Sequence, residues 1–110
     1  MIGVLNLKIE LLYFEGCPGF RPTLSLLQQV LDEEEIPAKV HTIPVESEES
    51  AKKHRFLGSP SIRMDGEDIE PEARTATGFG MKCRIYDNEG VPGGVPSKSK
   101  ILEAIRKGGD

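Results

Sequence analysis

The first part of the chain constrains the fold most, because it has the pattern of a strand, a helix and a second strand in direct succession. Residues 7–14 alternate at first and are then continuously apolar, which is typical of a central strand. From Phe20 to Leu31, apolar residues recur at spacings of four, three and four, which predicts one apolar helix face. Residues 38–43 alternate again. A strand, a helix and a strand in this order form a parallel pair with a right-handed crossover.

The rest of the chain extends this order to β-α-β-α-β-β-α. Caps, turns and alternation predict a short helix, two strands and a last helix, at residues 48–56, 61–64, 82–86 and after the cap Ser97. Residues 67–80 are polar and are interpreted as a long loop with room for a helical turn. We expect the two final strands to pair as a hairpin. The sequence therefore predicts an α/β fold.

Length and composition argue against several classes of function. The 110 residues fit one domain over residues 1–110, with residues 1–6 as an N-terminal extension. The formal charge of -4 argues against binding to a phosphate backbone. Only 5% of the residues are aromatic and none is Trp, which disfavours a base-stacking platform. We therefore expect no nucleic-acid partner.

The apolar segments are too short for a membrane protein. No apolar run approaches the roughly 18 residues that a membrane span needs. The start of the chain lacks the basic segment of a signal peptide, and Lys8 and Glu10 interrupt its apolar residues. We expect no membrane partner and a cytoplasmic location. Cys17 and Cys83 are too few for a disulfide scaffold, so both are expected as thiols unless they are used for chemistry.

The strongest local signal is Cys17, which stands between the first strand and the first helix. Pro18 suits the first helical position, with Cys17 as the N-cap. A helix N-terminus presents free N–H groups and a partial positive charge, and both favour a thiolate. Thiols in such places have pKa values below the usual value of about 8.5. A reactive or ligand thiol is one interpretation of Cys17, and a structural cap and packing residue is the other.

A resemblance to a known family rests on four motifs, at Tyr13–Pro18, Gly58–Ser61, Cys83–Tyr86 and Gly93–Ser97. Together with the element order, they resemble the thioredoxin-like superfamily. More narrowly, they resemble a group of small bacterial thioredoxin-like proteins, some of which carry names that link them to organomercury lyases. The resemblance spans residues 7–107. It implies a thioredoxin fold, with a four-stranded mixed sheet and helices on both faces.

The resemblance implies a role for Cys17. This residue matches the nucleophilic cysteine of the thioredoxin Cys-x-x-Cys motif, whereas Phe20 stands where the second, resolving cysteine would be. Dithiol chemistry within this motif is therefore excluded. Monothiol chemistry remains, in which the thiol attacks a disulfide, forms a mixed disulfide with glutathione or another thiol, and is released by a second thiol.

The resemblance also implies a groove around Pro60, which matches the cis-proline of the fold. The Ser59–Pro60 peptide bond is expected to be cis and to lie against Cys17, with a backbone that pairs with a bound peptide or glutathione. Pro18, Ser59, Pro60 and Ser61 are the predicted binding residues. From the residues alone, a trans turn that starts a strand is the alternative, since only about 5–6% of X-Pro bonds are cis.

Cys83 is the candidate for a second thiol. On the thioredoxin topology it lies three residues, or ~10 Å, before the active end of the fourth strand. A disulfide needs Cα atoms within about 7 Å, so a direct bond to Cys17 is disfavoured. Two further interpretations are a buried small hydrophobe in the sheet and a role reached through movement of residues 67–80.

No bound cofactor or metal is predicted. Gly93 and Gly94 resemble the double glycine that glutaredoxins use beside glutathione, which would act here only as a co-substrate. A plain turn followed by the cap Ser97 is the simpler interpretation. His41 and His54 have no cysteine or carboxylate at zinc-site spacing, so no metal ligands are assigned.

Three functional hypotheses follow. The first is a thiol–disulfide oxidoreductase with Cys17 as nucleophile, acting on a disulfide or thiol substrate, either a protein or glutathione. The second is a soft-metal binding protein for mercury or copper, using Cys17 alone, across a homodimer or with Cys83. The third is a thioredoxin-like module that binds a partner and catalyses nothing. The sequence leaves the natural substrate and the presence of a homodimer open.

Overall fold

The strand predicted at the start of the chain lies in the middle of a sheet. The computed structural model describes residues 7–108, so the predicted extension at residues 1–6 lies outside the described residues. The strands are β1 (Ile9–Tyr13), β2 (Val40–Pro44), β3 (Ser61–Met64), β4 (Glu67–Asp68), β5 (Tyr86–Asn88) and β6 (Val91–Gly93). The helices are α1 (Phe20–Glu33), α2 (Glu48–Lys53), α3 (Lys98–Gly108) and a 3-10 helix (Pro71–Thr75).

The main sheet has the strand order β2-β1-β3-β4. The first strand pairs parallel with β2 and antiparallel with β3, and β3 pairs antiparallel with β4. The parallel pair follows from the long crossover through α1. The α/β class, the four-stranded mixed sheet and the parallel first pair are therefore confirmed.

The two faces of the sheet carry separate apolar clusters. Ile9 and Leu11 of β1 belong to the larger one, together with Leu27 of α1 and Ile101 of α3. Leu12, the next residue of β1, faces the other way because side chains alternate along a strand. It belongs to a smaller cluster of buried residues, Leu12, Val45, Ala51 and Phe56. Helices α1 and α3 thus cover one face, and α2 covers the other.

The predicted position of the fourth strand is wrong. We expected it at residues 82–86, but β3 continues through Asp65 and Gly66 directly into β4. Both turn residues have positive φ, 53° and 84°, as in the two-residue turns that close tight hairpins. Because this hairpin occupies the free edge of β3, β5 pairs with β6 in a separate two-stranded sheet.

Two predicted segments have different bounds in the structure. Residues 67–80 contain the expected helical turn, as the 3-10 helix, but they also contain β4 and are therefore only partly a loop. Helix α2 ends at Lys53 rather than at residue 56, and Arg55 then adopts a left-handed conformation with a φ of 54°. The predicted cap of α2 is confirmed, because the Ser47 hydroxyl accepts a hydrogen bond from the Ser50 N–H at 3.0 Å.

Candidate functional site

The motifs noted in the sequence meet beyond the C-terminal end of β1. The backbone is closely packed at Gly19, two residues after Cys17. A Cβ atom on Gly19 would lie 2.6 Å from the carbonyl oxygen of Gly94 and 3.1 Å from Cδ of Pro60. The backbone that follows Cys17 is therefore closely packed between two turns. One is the Ser-Pro turn at Ser59 and Pro60, and the other is the Gly-Gly turn at Gly93 and Gly94. No side chain fits there without a shift of the backbone.

Cys17 lies in a turn ahead of α1, with a half-buried side chain. Its N–H donates to the carbonyl of Phe14 at 3.2 Å, and its own carbonyl accepts from the Phe20 N–H at 3.3 Å. Helix α1 begins at Phe20 with Gly19 as its N-cap, so the prediction of Cys17 as the cap and Pro18 as the first helical residue is wrong. A turn from Cys17 to Phe20 precedes the helix, so the helix starts at Phe20 and not at Pro18. This removes capping as a structural role for the thiol.

Phe20, where a second cysteine would stand in a Cys-x-x-Cys motif, has a packing role. Its ring stacks on Tyr13 with centroids 3.8 Å apart and an interplanar angle of 13°. Such stacked aromatic pairs add to the stability gained from burial. Phe20 also packs against the larger apolar cluster. The pair fixes the end of β1 to the start of α1, on either side of the cysteine turn.

The Ser59–Pro60 peptide bond is cis, as predicted. Ser59 and Ser61, on either side of Pro60, are both buried, and their hydroxyls are engaged within the protein. The Ser59 hydroxyl accepts from the Phe14 N–H at 3.4 Å, and the Ser61 hydroxyl donates to the Gly58 carbonyl at 2.6 Å. Of the predicted binding residues, only Pro18 has an exposed side chain.

The backbone of Ser59 is already paired. Its N–H donates to the carbonyl of Lys82 at 2.8 Å, and its carbonyl accepts from the Arg84 N–H at 2.9 Å. These two bonds form a parallel bridge between Ser59 and Cys83. The expectation that this backbone is open to a bound peptide or to glutathione is therefore wrong. A segment of the protein itself occupies the place.

The structure also corrects the position of Cys83. We placed it ~10 Å from the active end of a sheet strand, but it lies directly opposite Ser59, next to Pro60. Its side chain is exposed, so it is not a buried small hydrophobe. The cause is the shift of the fourth strand to β4, which leaves residues 82–84 free to run along Ser59. The distance argument against a bond to Cys17 no longer applies.

A buried charged network lies beneath this segment, with Arg84 at its centre. Arg84 is 7% exposed and makes two hydrogen bonds to the Asp68 carboxylate, at 2.6 and 2.7 Å. It also donates to Glu70 at 2.9 Å and to the Ser61 hydroxyl at 3.1 Å. Lys100 pairs with the other oxygen of Glu70, again at 2.9 Å. Two cations thus balance two carboxylates, and the network ends on the residue after Pro60.

Electrostatics keep this network charged. Burial by itself lowers the pKa of Arg84, but the hydrogen bonds with Asp68 and Glu70 outweigh burial and raise this pKa above its usual range. Burial raises the pKa of Tyr86, so its phenol stays protonated. That phenol donates to the Pro60 carbonyl at 2.6 Å, and the Arg84 guanidinium lies 4.6 Å from the centre of its ring. Arg84 and Tyr86 therefore hold the Ser-Pro turn from inside.

The Gly-Gly turn is fixed by Asn88 at the end of β5. The Asn88 amide donates to the Val95 carbonyl at 2.9 Å and accepts from the Ser97 N–H at 2.8 Å. The Ser97 hydroxyl in turn accepts from the Lys100 N–H at 3.2 Å, which confirms Ser97 as a cap. Gly94 is thereby held against Gly19.

Residues 7–108 lack two further kinds of feature. They contain no group of three or more His, Cys, Asp or Glu side chains that could hold a metal ion. In the same part of the chain, no helix is long and apolar enough to cross a membrane.

Comparisons with known proteins add no family assignment. Neither the models of known protein families nor the curated proteins contain a match to this sequence.

Sequence reasoning missed the residues that support the site, namely Asp68, Glu70, Arg84, Tyr86 and Asn88. The sequence offered one signal, the strand-like alternation of Cys-Arg-Ile-Tyr at residues 83–86. It puts Arg84 and Tyr86 on one side of the segment, but only the structure shows that this side is buried.

Proposed function

We propose that the protein has a thioredoxin fold and acts as a monothiol thiol–disulfide oxidoreductase, with Cys17 as its nucleophile. The observation that carries the proposal is the packing of Gly19, two residues after Cys17, against Pro60 and Gly94. The motifs that contain Pro60 and Gly94 thus meet the backbone two residues after one half-buried thiol. The strand order β2-β1-β3-β4 and the helices on both faces agree with this fold.

The chemistry needs only a thiolate and a disulfide. The Cys17 thiolate attacks one sulfur of the substrate disulfide and forms a mixed disulfide, while the other half leaves as a thiolate and takes up a proton. A second thiol then attacks the mixed disulfide and frees Cys17.

Alkylation with iodoacetamide at neutral pH tests the nucleophile. Cys17 is the proposed nucleophile and reacts as its thiolate. We therefore expect it to be modified faster than the more exposed Cys83. Treatment with glutathione disulfide should give a mixed disulfide in Cys83→Ser but none in Cys17→Ser. Intact-mass spectrometry identifies the modified species, and Cys83→Ser is the matched control. Mixed-disulfide formation at the full rate in Cys17→Ser would refute the proposal.

A further inference from the structure

We infer that Cys83 is the resolving thiol of this site, held beside Pro60 by a strap that consists of residues 82–86. The inference rests on the proposed thiol chemistry of Cys17 and deepens it. It assigns the second thiol to the protein itself rather than to an external molecule.

The strap is docked on three consecutive residues through four hydrogen bonds. Ser59 is bonded through its N–H to Lys82 and through its carbonyl to Arg84. The Pro60 carbonyl accepts from the Tyr86 phenol at 2.6 Å. The Ser61 hydroxyl accepts from the Arg84 guanidinium at 3.1 Å. Each of residues 59–61 is thus bonded to a particular residue of the strap, and these bonds fix the position of Cys83 opposite Ser59.

Within the strap, the inner and outer sides carry different chemistry. Arg84 and Tyr86 point inward and are buried, whereas Cys83 and Ile85 are exposed. The side-chain anchors of the strap therefore lie on the C-terminal side of Cys83. Towards its N-terminal side, the side chain of Lys82 reaches the Gly78 carbonyl at 2.7 Å on the surface. Cys83 thus carries a free thiol next to a rigid anchor.

Ser59 connects the two backbone segments that carry the cysteines. Its hydroxyl accepts from the N–H of Phe14, whose carbonyl accepts from the N–H of Cys17. Its backbone pairs directly with the strap at Cys83, and paired strands lie about 4.8 Å apart. Both cysteines are therefore tied to the same residue. A disulfide between them calls for a local adjustment of the cysteine turn or of the strap, with Arg84 still anchored.

The docked strap also restricts the substrate. An extended peptide binds a sheet edge through free main-chain N–H and C=O groups, and both groups of Ser59 are used by the strap. Behind Ser59, Gly58 is covered as well, since a Cβ atom there would lie 3.0 Å from Cβ of Arg84. A small disulfide such as glutathione disulfide reaches Cys17 without this pairing, so we use it as the probe.

The reaction balances with glutathione disulfide as the oxidant. The Cys17 thiolate attacks one glutathione sulfur, forms a mixed disulfide and releases the first glutathione thiolate. The Cys83 thiolate then attacks the Cys17 sulfur, forms the Cys17–Cys83 disulfide and releases the second glutathione thiolate. Two electrons pass from the two cysteines to the glutathione disulfide. The two protons that the cysteines lose are taken up by the leaving thiolates.

The test follows the fate of the glutathione adduct by intact-mass spectrometry and non-reducing electrophoresis. Reduced full-length protein is mixed with glutathione disulfide and quenched with acid at set times. In the unmodified protein we expect a transient adduct and then a monomer that has lost two hydrogens. In Cys83→Ser we expect a stable adduct at Cys17. Decay of the adduct should be at least about tenfold faster with Cys83 present, because an internal thiol acts at high effective concentration.

A double variant, Cys83→Ser with Ile85→Cys, is the matched control. It keeps two thiols and an exposed position on the strap but moves the second thiol beyond the Arg84 anchor. We expect its adduct to persist as in Cys83→Ser. Closure at the same rate as in the unmodified protein would overturn the assignment of a defined place to Cys83.

The remaining outcomes separate the two proposals. An adduct of equal lifetime in the unmodified protein and in Cys83→Ser would overturn the role of Cys83 and leave the proposed function standing. A disulfide-linked dimer instead of an internal disulfide would also overturn it. If Cys83→Ser forms no adduct at all, the nucleophile itself is wrong, and the proposed function fails together with the inference.

Discussion

Two buried regions of this protein lie side by side but are constructed in opposite ways. The larger apolar cluster joins the sheet to α1 and α3 through aliphatic residues such as Leu27 and Ile101. The network around Arg84 fills a neighbouring space with charges that are satisfied by Asp68 and Glu70. The first region holds elements together. The second positions a backbone turn, because its hydrogen bonds end on the residues at Pro60.

The two regions should lose stability in different ways when a residue in them is substituted. An aliphatic cluster loses stability in proportion to the contacts removed, and the surroundings partly relax. A buried charge that loses its partner is not relieved by such relaxation, because it stays desolvated and unpaired. The charged network should therefore be the more fragile region and the one whose damage reaches the thiols. The following predictions test this contrast, from the largest expected effect to the smallest.

The largest effect is expected for Arg84→Met. Removing the guanidinium leaves the Asp68 carboxylate buried without a cation, and breaking such a pair costs about 3–5 kcal/mol. Urea denaturation measures the loss in free energy of unfolding. The exposed Arg21→Met serves as the control with the same substitution. Equal stability of the two variants would show that the network contributes nothing.

Leu27→Ala is the corresponding change in the apolar cluster. Leu27 is fully buried, and such a truncation costs about 3 kcal/mol through lost contacts and a cavity. We expect its Cys17 alkylation rate and its disulfide closure to stay as in the unmodified protein. Arg84→Met should slow closure, because the strap loses its anchor. If Leu27→Ala slowed disulfide closure as much as Arg84→Met, the charged network would have no special role in positioning the strap.

Gly19→Ala and Gly94→Ala form a pair on the two sides of one contact. A methyl group on Gly19 would lie 2.6 Å from the Gly94 carbonyl, whereas on Gly94 it would meet nothing within 4 Å. Forcing the backbone apart should cost about 1–3 kcal/mol in Gly19→Ala. Thermal unfolding should place Gly94→Ala close to the unmodified protein. Equal melting temperatures for both variants would contradict the close packing described for Gly19.

The smallest effect is expected for the ion pair between Glu33 of α1 and Lys98 of α3. The hydrogen bond from Lys98 lowers the pKa of Glu33 below its ordinary value of 4.5. A lowered folded-state pKa contributes stability above the ordinary value, and this contribution is lost as the pH falls through the lowered one. Both partners are solvent-accessible, so Glu33→Gln should reduce stability slightly at neutral pH and low salt only. An equal reduction in high salt would rule out an ionic origin.

The same contrast explains how far sequence alone predicted this structure. The spacing of Leu27, Leu31, Ile101 and Ile105 is local and marks the inner faces of α1 and α3, so the apolar cluster was predictable. Arg84 carries no such mark. Its partners stand 14 and 16 residues earlier in the chain, and a charged residue is ordinarily assigned to the surface.

The site divides in the same way. The cis bond at Pro60 was predicted from the resemblance and is present. The turn at Gly93 and Gly94, followed by the cap Ser97, was predicted from the residues. The position of Cys83 was not, because it depends on which segment pairs with the free edge of β3. A two-residue turn at Asp65 and Gly66 decides that competition. A turn of this kind was visible in the sequence, but its effect on residues 82–86 was not.

The ladder between Ser59 and the strap also makes two amide hydrogens into reporters of one event. The Ser59 amide is bonded to Lys82, and the Arg84 amide is bonded to Ser59, so both become accessible to solvent only when the strap leaves. In deuterated water, the two amides should exchange at linked rates. Once these two amides are assigned in NMR spectra, their exchange rates would report the opening of the strap. The measurement applies to reduced and oxidised protein alike and needs no added substrate.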